Sequence, residues 1–233
     1  MMELKYKHIF FDLDHTLWDF EKNSQETLEH LYHHYGLKNF GVQHPDDFIV
    51  VYEKINHAMW AQYNRGEIDK ATLREKRFTD SFAALGVNKE HIPQGIWQLY
   101  LDICPTKTNV FPHALEVLEY LHDRYTLSII TNGFEETQHR KLSHSGIAPF
   151  INHVLTSESI GFAKPDPRIF EHLLSTHGAG NHEAIMIGDN IETDIGGAKA
   201  AGIDHIFFNP EKIPHSHLVQ AEIHSLLQLK DLL

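Results

Sequence analysis

The sequence predicts an α/β fold, a parallel sheet wrapped by helices, with a helical domain inserted after the first strand. Three observations carry this. Short apolar runs recur and end in polar or small residues, helix-length segments separate the later runs, and the stretch 19–106 holds no convincing strand. The expected division is a core of residues 1–18 and 107–233 and a helical insert of 19–106.

In chain order, His8 to Leu13 is a compact apolar run ending in carboxylates, the pattern of a buried strand with chemistry at its C-terminal edge. Leu127 to Ile130 runs into Thr131-Asn132-Gly133, Ala184 to Ile187 into Gly188-Asp189-Asn190, and His205 to Phe208 into Asn209-Pro210, while His153 to Thr156 is a weaker strand. Helices are expected at 112–124, 134–146, 167–177 and 192–201. Asp166 can cap a helix that has Pro167 at its first position, and Gly202 stands where a left-handed C-terminal residue is wanted.

Within the insert, Leu28, Leu31, Phe48, Val51, Ile55, Met59, Leu73, Phe78, Phe82 and Leu85 recur at helical spacing. The insert follows the first carboxylate-bearing strand, so its connections straddle the site. It can serve as a lid that excludes water and selects a substrate, or as a purely stabilising subdomain.

Composition narrows the partners. Twenty Lys and Arg against 32 Asp and Glu give a net charge of −12, which repels a polyphosphate backbone, so no nucleic acid polymer is expected as a partner. No apolar run approaches the roughly 18 to 20 residues needed to cross a bilayer, so no membrane partner is expected. A single Cys104 and an N-terminus without a basic stretch and apolar segment point to a reducing cytoplasm. Cys104, followed by Pro105, reads as a packed residue rather than a nucleophile. His30, His33 and His34 can share a helix face and catch a metal, against the simpler reading of a solvated surface. Monomer and homodimer both remain open.

Asp12 and Asp14 stand two apart at a strand end, so their side chains can enter one crevice. Two carboxylates together need compensation, and hard oxygen ligands favour magnesium. Other strand ends and loops bring what the pair lacks. Thr131 offers a hydroxyl, Asn132 and Gly133 offer backbone N–H groups near a helix start, Lys164 a cation, and Asp189 with Asp194 two more acids. All belong where ligands bind in open α/β sheets, outside the carboxyl ends of the strands. Taken singly, each is an ordinary turn, surface or cap residue. It is their conjunction in this order that points to chemistry.

In that conjunction the chain resembles the haloacid dehalogenase (HAD) superfamily over essentially its whole length. Phe11-Asp12-Leu13-Asp14-His15-Thr16-Leu17 is similar to the first motif, Thr131-Asn132-Gly133 to the second, Gly161-Phe162-Ala163-Lys164-Pro165-Asp166-Pro167 to the third, and Gly188-Asp189 through Asp194 to the fourth. The insert resembles that family's helical cap. The resemblance implies a HAD-like Rossmannoid core and a magnesium-dependent phosphatase in which Asp12 attacks phosphorus and forms an aspartyl-phosphate. Thr131 and Lys164 would bind the non-bridging oxygens, and Asp14 would move the proton. Magnesium would be held by Asp12, the backbone carbonyl of Asp14 and Asp189, with Asp194 as a direct ligand or just behind.

Asp14 argues against a dehalogenase, which needs no acid at that place, and leaves a phosphomutase as a lesser alternative. A phospho-receiver is disfavoured by the motif order and the large insert, and a catalytically silent binding scaffold by the intact Asp12, Asp14, Thr131, Lys164 and Asp189, which would be surplus to it. For the substrate, Thr131-Asn132-Gly133-Phe134 continuing to Gln138 and Lys141-Leu142 looks most like the pyrimidine 5′-nucleotidase subgroup, acting on nucleoside 5′-monophosphates. Sugar phosphates, acylneuraminate phosphates and phosphoglycolate are the alternatives. In the insert, Trp60, Tyr63, Asn64 and Arg65 combine aromatic faces and polar groups suited to a base or sugar, with helix packing as the competing reading for Trp60 and Tyr63.

Overall fold

The structure, a computed structural model, describes residues 5–233. The chain folds into two compact units: Glu21–Lys107, and a second formed by the segment up to Phe20 together with Thr108–Leu233.

The first unit is helical, with α1 (Phe20–Tyr35, entering from the other unit), α2 (Pro45–Asn64), α3 (Lys70–Ala84) and α4 (Ile96–Ile103). Their starts have local causes. Pro45 opens α2 with Asp46 and Asp47 in the first turn, where acids meet the positive end of the helix dipole. Asp69 caps α3 by accepting from the Thr72 N–H at 2.8 Å. Leu28, Leu31, Phe48, Met59, Leu73, Phe78 and Phe82 are buried, as their spacing requires. Val51, Ile55 and Leu85 are only half-buried, and the centre is taken instead by Tyr52, whose ring lies 4.9 Å from Phe78 and 5.5 Å from Tyr100. Aromatic volume here outweighs strict aliphatic periodicity.

The second unit is a six-stranded parallel sheet of β1 (His8–Phe11), β2 (Thr126–Thr131), β3 (His153–Thr156), β4 (Ala184–Gly188), β5 (Asp204–Phe208) and β6 (Ala221–Ile223), in the order β3-β2-β1-β4-β5-β6. Its helices are α5 (Ala114–His122), α6 (Glu135–Ser145), α7 (Ser157–Ile160), α8 (Pro167–His177), α9 (Gly196–Ala200) and α10 (Leu229–Leu232). Alternation along β1 puts Phe10 into a core with Ile130 of β2 and Ile169, Phe170, Leu173 and Leu174 of α8. Ile9 and Phe11, also fully buried, take the opposite face. Helices on both faces explain why these strands read as continuous apolar runs.

The register fixes where the chemistry sits. Phe11 pairs with Ile129 on one side and Ile187 on the other, so the carboxyl ends of the three central strands lie at one edge, with β2 running on to Thr131 and β4 to Gly188. The order reverses between β1 and β4, which opens a crevice beyond their carboxyl ends.

Three local expectations are corrected. The helix expected from 112 begins at Ala114, because His113 is left-handed (φ 68°) and the Ala114 N–H closes a turn onto the Phe111 carbonyl. The helix expected over 192–201 is a widened π-turn over Ile191–Ile195 followed by α9. That turn swings Asp194 inward, to 1% exposure. A sixth strand, β6, has no counterpart among the expected strands. By contrast, Asp166 caps α8 by accepting from the Arg168 N–H, and Gly202 is left-handed, both as expected. Cys104 is buried. His30 and His34 stack with centroids 5.8 Å apart on α1, whereas His33 lies edge-on to Tyr32, and all three histidines are exposed.

Candidate active site

Asp12 follows β1 directly and is tied into the sheet by its N–H to the Ile187 carbonyl at 3.0 Å. Lys164, only 2% exposed, donates to Asp12 Oδ1 and to Asp194 Oδ1, each at 2.6 Å. Asp189, just after β4, accepts from the Thr16 hydroxyl at 3.0 Å. Carboxylate oxygens of Asp12, Asp189 and Asp194 all lie within 4.8 Å of one another.

Three carboxylates facing one ammonium leave two negative charges over when all are ionised. Burial raises Asp12 first; Lys164 opposes this, but the charges of Asp194 and Asp189 reinforce it, and its carboxyl stands well above the usual range. Burial and then Asp194 push Asp189 up to about 7, against the Thr16 bond and Lys164. Burial works against the Lys164 ammonium, yet Asp12 and Asp194 hold it charged, with its pKa above the ordinary lysine value. A divalent cation among these acids cancels the excess, and an all-oxygen donor set suits magnesium, so the residues fit that ion.

Asp194 has both oxygens engaged, by Lys164 and by the Asn190 N–H at 3.0 Å. Asp194 thus joins Lys164 to the turn that begins at Asn190. Gly188 makes room for it: a Cβ there would fall 2.3 Å from Asp194 Oδ2.

Asp14 occupies separate surroundings. Its two oxygens lie 2.6 and 2.8 Å from Lys141 Nζ, and Gln138 Nε2 donates to Oδ2 at 2.9 Å. Burial alone would raise this carboxyl, but the Lys141 charge and the Gln138 and Lys141 hydrogen bonds outweigh it and hold it below the ordinary range.

The loop after β2 completes the arrangement. Thr131 Oγ1 accepts from the Gly133 N–H at 3.0 Å and from Gln138 Nε2 at 3.2 Å. The Asn132 side chain reaches the Lys164 backbone, donating to its carbonyl at 2.9 Å and accepting from its N–H at 2.8 Å. Asn132 therefore acts through its amide side chain as a staple between the loop and Lys164. Trp60 and Tyr63 lie in the helical unit near the end of α2, their rings edge-to-face at 5.5 Å.

The haloacid dehalogenase-like hydrolase profile matches residues 6–202, well over half of the chain. The chain belongs to the haloacid dehalogenase-like hydrolase family. Among HAD relatives, it is 32% identical to the pyrimidine 5′-nucleotidase PynA of Streptococcus pneumoniae, over 98% of this chain and 95% of that protein. It is 29% identical to the pyrimidine 5′-nucleotidase YjjG of Escherichia coli, over 97% and 98% of the respective chains. In structure it is similar to the HAD-hydrolase YfnB of Bacillus subtilis, determined bound to magnesium, with a TM-score of 0.87, 25% identity and coverage of 98% and 99%. The chain is thus an enzyme of the hydrolase class.

Thr16 and Asn190 of this HAD site do not stand out in the sequence as working parts, and Gln138 and Lys141 stand out there only through the subgroup resemblance, with no task of their own. Asn190 Oδ1 accepts from the Glu192 and Thr193 N–H groups, both at 3.0 Å, and so starts the turn that carries Asp194. Gln138 and Lys141 do carry a signal, since residues three apart share a helix face just after Thr131-Asn132-Gly133.

Proposed function

We propose that this enzyme hydrolyses phosphate monoesters, nucleoside 5′-monophosphates with a pyrimidine base foremost, through an aspartyl-phosphate on Asp12. The observation that carries the reading is the separation of the two acids of the first motif. Asp12 shares Lys164 with Asp194, whereas Asp14 is gripped by Lys141 and Gln138. Two carboxyls with separate partners can take two different tasks: the low-lying Asp14 carboxylate suits the base that takes the proton of water, and it serves as acid only after taking up a proton with the incoming ester. The pyrimidine preference rests on the near full-length similarity to PynA and YjjG.

In this reading Asp12 attacks phosphorus in line, Thr131 and Lys164 bind the non-bridging oxygens, and Asp14 protonates the departing ester oxygen. Asp14 then takes a proton from the water that hydrolyses the intermediate. Asp12, Asp189 and the Asp14 carbonyl would hold magnesium, supported by Asp194, and the charge supplied there lets the buried acids stay ionised while phosphate binds. Lys164 also steers Asp12: with Oδ1 bound to the ammonium, Oδ2 is left for attack.

The test is phosphate release with magnesium from a panel of pyrimidine and purine 5′-monophosphates, phosphoglycolate, sugar phosphates and an acylneuraminate phosphate. Pyrimidine nucleotides should give the highest kcat/KM, with activity lost in a chelator. Preference for phosphoglycolate over every nucleotide would overturn the substrate class and leave the chemistry standing. No release from any ester would overturn both.

A further inference from the structure

Helix α6 grips the proton-carrying acid of the site with two side chains that no part of the mechanism above employs. Lys141 contacts both oxygens of Asp14, at 2.6 and 2.8 Å, while Gln138 Nε2 bridges Asp14 Oδ2 at 2.9 Å and Thr131 Oγ1 at 3.2 Å. Both side chains are buried, Gln138 fully. Lys141 is seated from behind as well: its Nζ lies 4.6 Å from the centroid of the fully buried Trp18 ring and 5.6 Å from that of Phe20. Trp18 closes the loop that Asp14 opens, through a β-bridge between the two residues and the His15 N–H to Trp18 carbonyl bond at 3.0 Å. The ammonium is therefore fixed between the two ends of one loop.

Gly133 is shaped to this arrangement. A Cβ there would fall 1.4 Å from Gln138 Nε2, so only glycine lets the amide pass over the loop to reach Asp14. Burying a lysine charge carries a desolvation cost that its partner must offset, so a buried ion pair is weak as a mere staple. An ammonium and an amide aimed at one carboxyl from two directions do, however, fix the plane and direction of that carboxyl.

We propose that Lys141 and Gln138 are positioning residues: they aim the Asp14 carboxyl at the leaving oxygen of the ester, and Gln138 sets that aim relative to the phosphate-binding hydroxyl of Thr131. This rests on the phosphatase reading above. In the step concerned, an Asp12 oxygen bonds to phosphorus as the phosphorus–ester oxygen bond breaks. The ester oxygen leaves with the electron pair and takes a proton from Asp14, which Lys141 holds ionised at rest and which takes up that proton with the incoming ester. In the second step water attacks phosphorus and returns a proton to Asp14, releasing Asp12 and phosphate. Lys141 and Gln138 neither give nor take a proton overall.

Aim matters in proportion to the leaving group's need for the proton. An alkoxide such as a nucleoside 5′-oxygen requires it, whereas p-nitrophenolate departs without it. The experiment compares kcat and KM of the wild type, Lys141→Met, Lys141→Arg and Gln138→Leu on a nucleoside 5′-monophosphate and on p-nitrophenyl phosphate, with a melting curve for each protein. For Lys141→Met, kcat on the nucleotide should fall about 100-fold, the size of a lost general-acid contribution, and kcat on the nitrophenyl ester less than about tenfold, with KM little changed. Lys141→Arg should recover part of the nucleotide rate, and Gln138→Leu should show a smaller loss of the same pattern.

Equal losses on both esters, a loss confined to KM, or wild-type rates would overturn the proposal. If Lys141→Met does not fold, Gln138→Leu gives the same readout, and a uniform loss there overturns it equally. A wild type inactive on both esters removes the phosphatase reading and this inference with it, an outcome distinct from an active wild type with leaving-group-blind variants.

Discussion

Asn132 and Lys164 exchange two hydrogen bonds, side-chain amide to main-chain carbonyl at 2.9 Å and main-chain N–H to side-chain carbonyl at 2.8 Å. This pairing joins the loop after β2 to the segment before α8 and holds the backbone from which the buried ammonium projects. Asn132→Ala removes both bonds and strands two buried main-chain groups. The expected cost is about 1–3 kcal/mol of stability, with a drop in kcat as Lys164 loses its fixed origin. Urea unfolding and steady-state kinetics measure the two effects, and an unchanged denaturation midpoint would contradict the first.

The two acids of the first motif should separate under mutation. Asp12→Asn removes the nucleophile and should abolish turnover, whereas Asp14→Asn leaves Asp12, Thr131 and Lys164 in place and should lower kcat by about 100-fold or more while sparing phosphate binding. Inorganic phosphate inhibition and single-turnover rates distinguish them. Full metal-dependent activity in Asp12→Asn would dispose of the covalent mechanism.

Much of this architecture is legible because a parallel sheet buried on both faces makes its strands into bare apolar runs, and because strand ends are where such sheets do chemistry. His153–Thr156 and Pro167–His177 fall at the residues expected. What the sequence hides is set by tertiary contact. β6 is three residues long at the sheet edge, too short for any period to show. The π-turn at Ile191–Ile195 follows from Asn190 capping and the burial of Asp194, and its cause lies in Lys164, 30 residues away. Gly133 reads as a donor to phosphate, but its N–H is taken by Thr131 Oγ1 and its missing Cβ is what Gln138 needs. Lys141 can be placed on a helix face from sequence, but nothing local says that the face meets Asp14, 127 residues away.

The three clustered acids predict a metal-dependent stability. With Asp12, Asp189 and Asp194 set against Lys164 alone, magnesium binding to the folded state should raise Tm, by the equivalent of about 2.7 kcal/mol at a concentration 100 times Kd. Asp189→Asn removes one acid and should abolish most of the rise while keeping the Lys164 pairs. Differential scanning fluorimetry across a magnesium titration reads this directly. An equal magnesium shift in the variant would place the ion elsewhere.

A separate pH dependence resides at the opposite end of the sheet. His177, the last residue of α8, stacks on His8 at 4.7 Å, meets His153 edge-on at 4.5 Å and is hydrogen-bonded to Ser128 Oγ at 3.0 Å. Burial first, then the proximity of His8 and His153, lowers its pKa from 6.5 to about 4. His8 is lowered too, by burial against the opposing charge of Glu183, with Lys7 and His153 adding to the fall. Between the two His177 values the unfolded chain binds more protons, so stability rises with pH there. The contribution is fully present above about 6.5 and is lost as pH falls toward 4. The shift corresponds to about 3 kcal/mol at most, and screening of this half-buried ring reduces it to roughly 1–2 kcal/mol. His177→Gln keeps a polar partner for Ser128 and removes the titration. Comparing wild type and variant by urea unfolding at pH 7.5 and pH 5 cancels the other carboxylates and histidines. The wild type should lose more stability on acidification by that margin, and parallel losses would show that the histidine stack does not govern the acid limb. Because His8 and His153 begin their strands, at the end of the sheet away from Asp12, kcat at neutral pH should be unchanged in the variant.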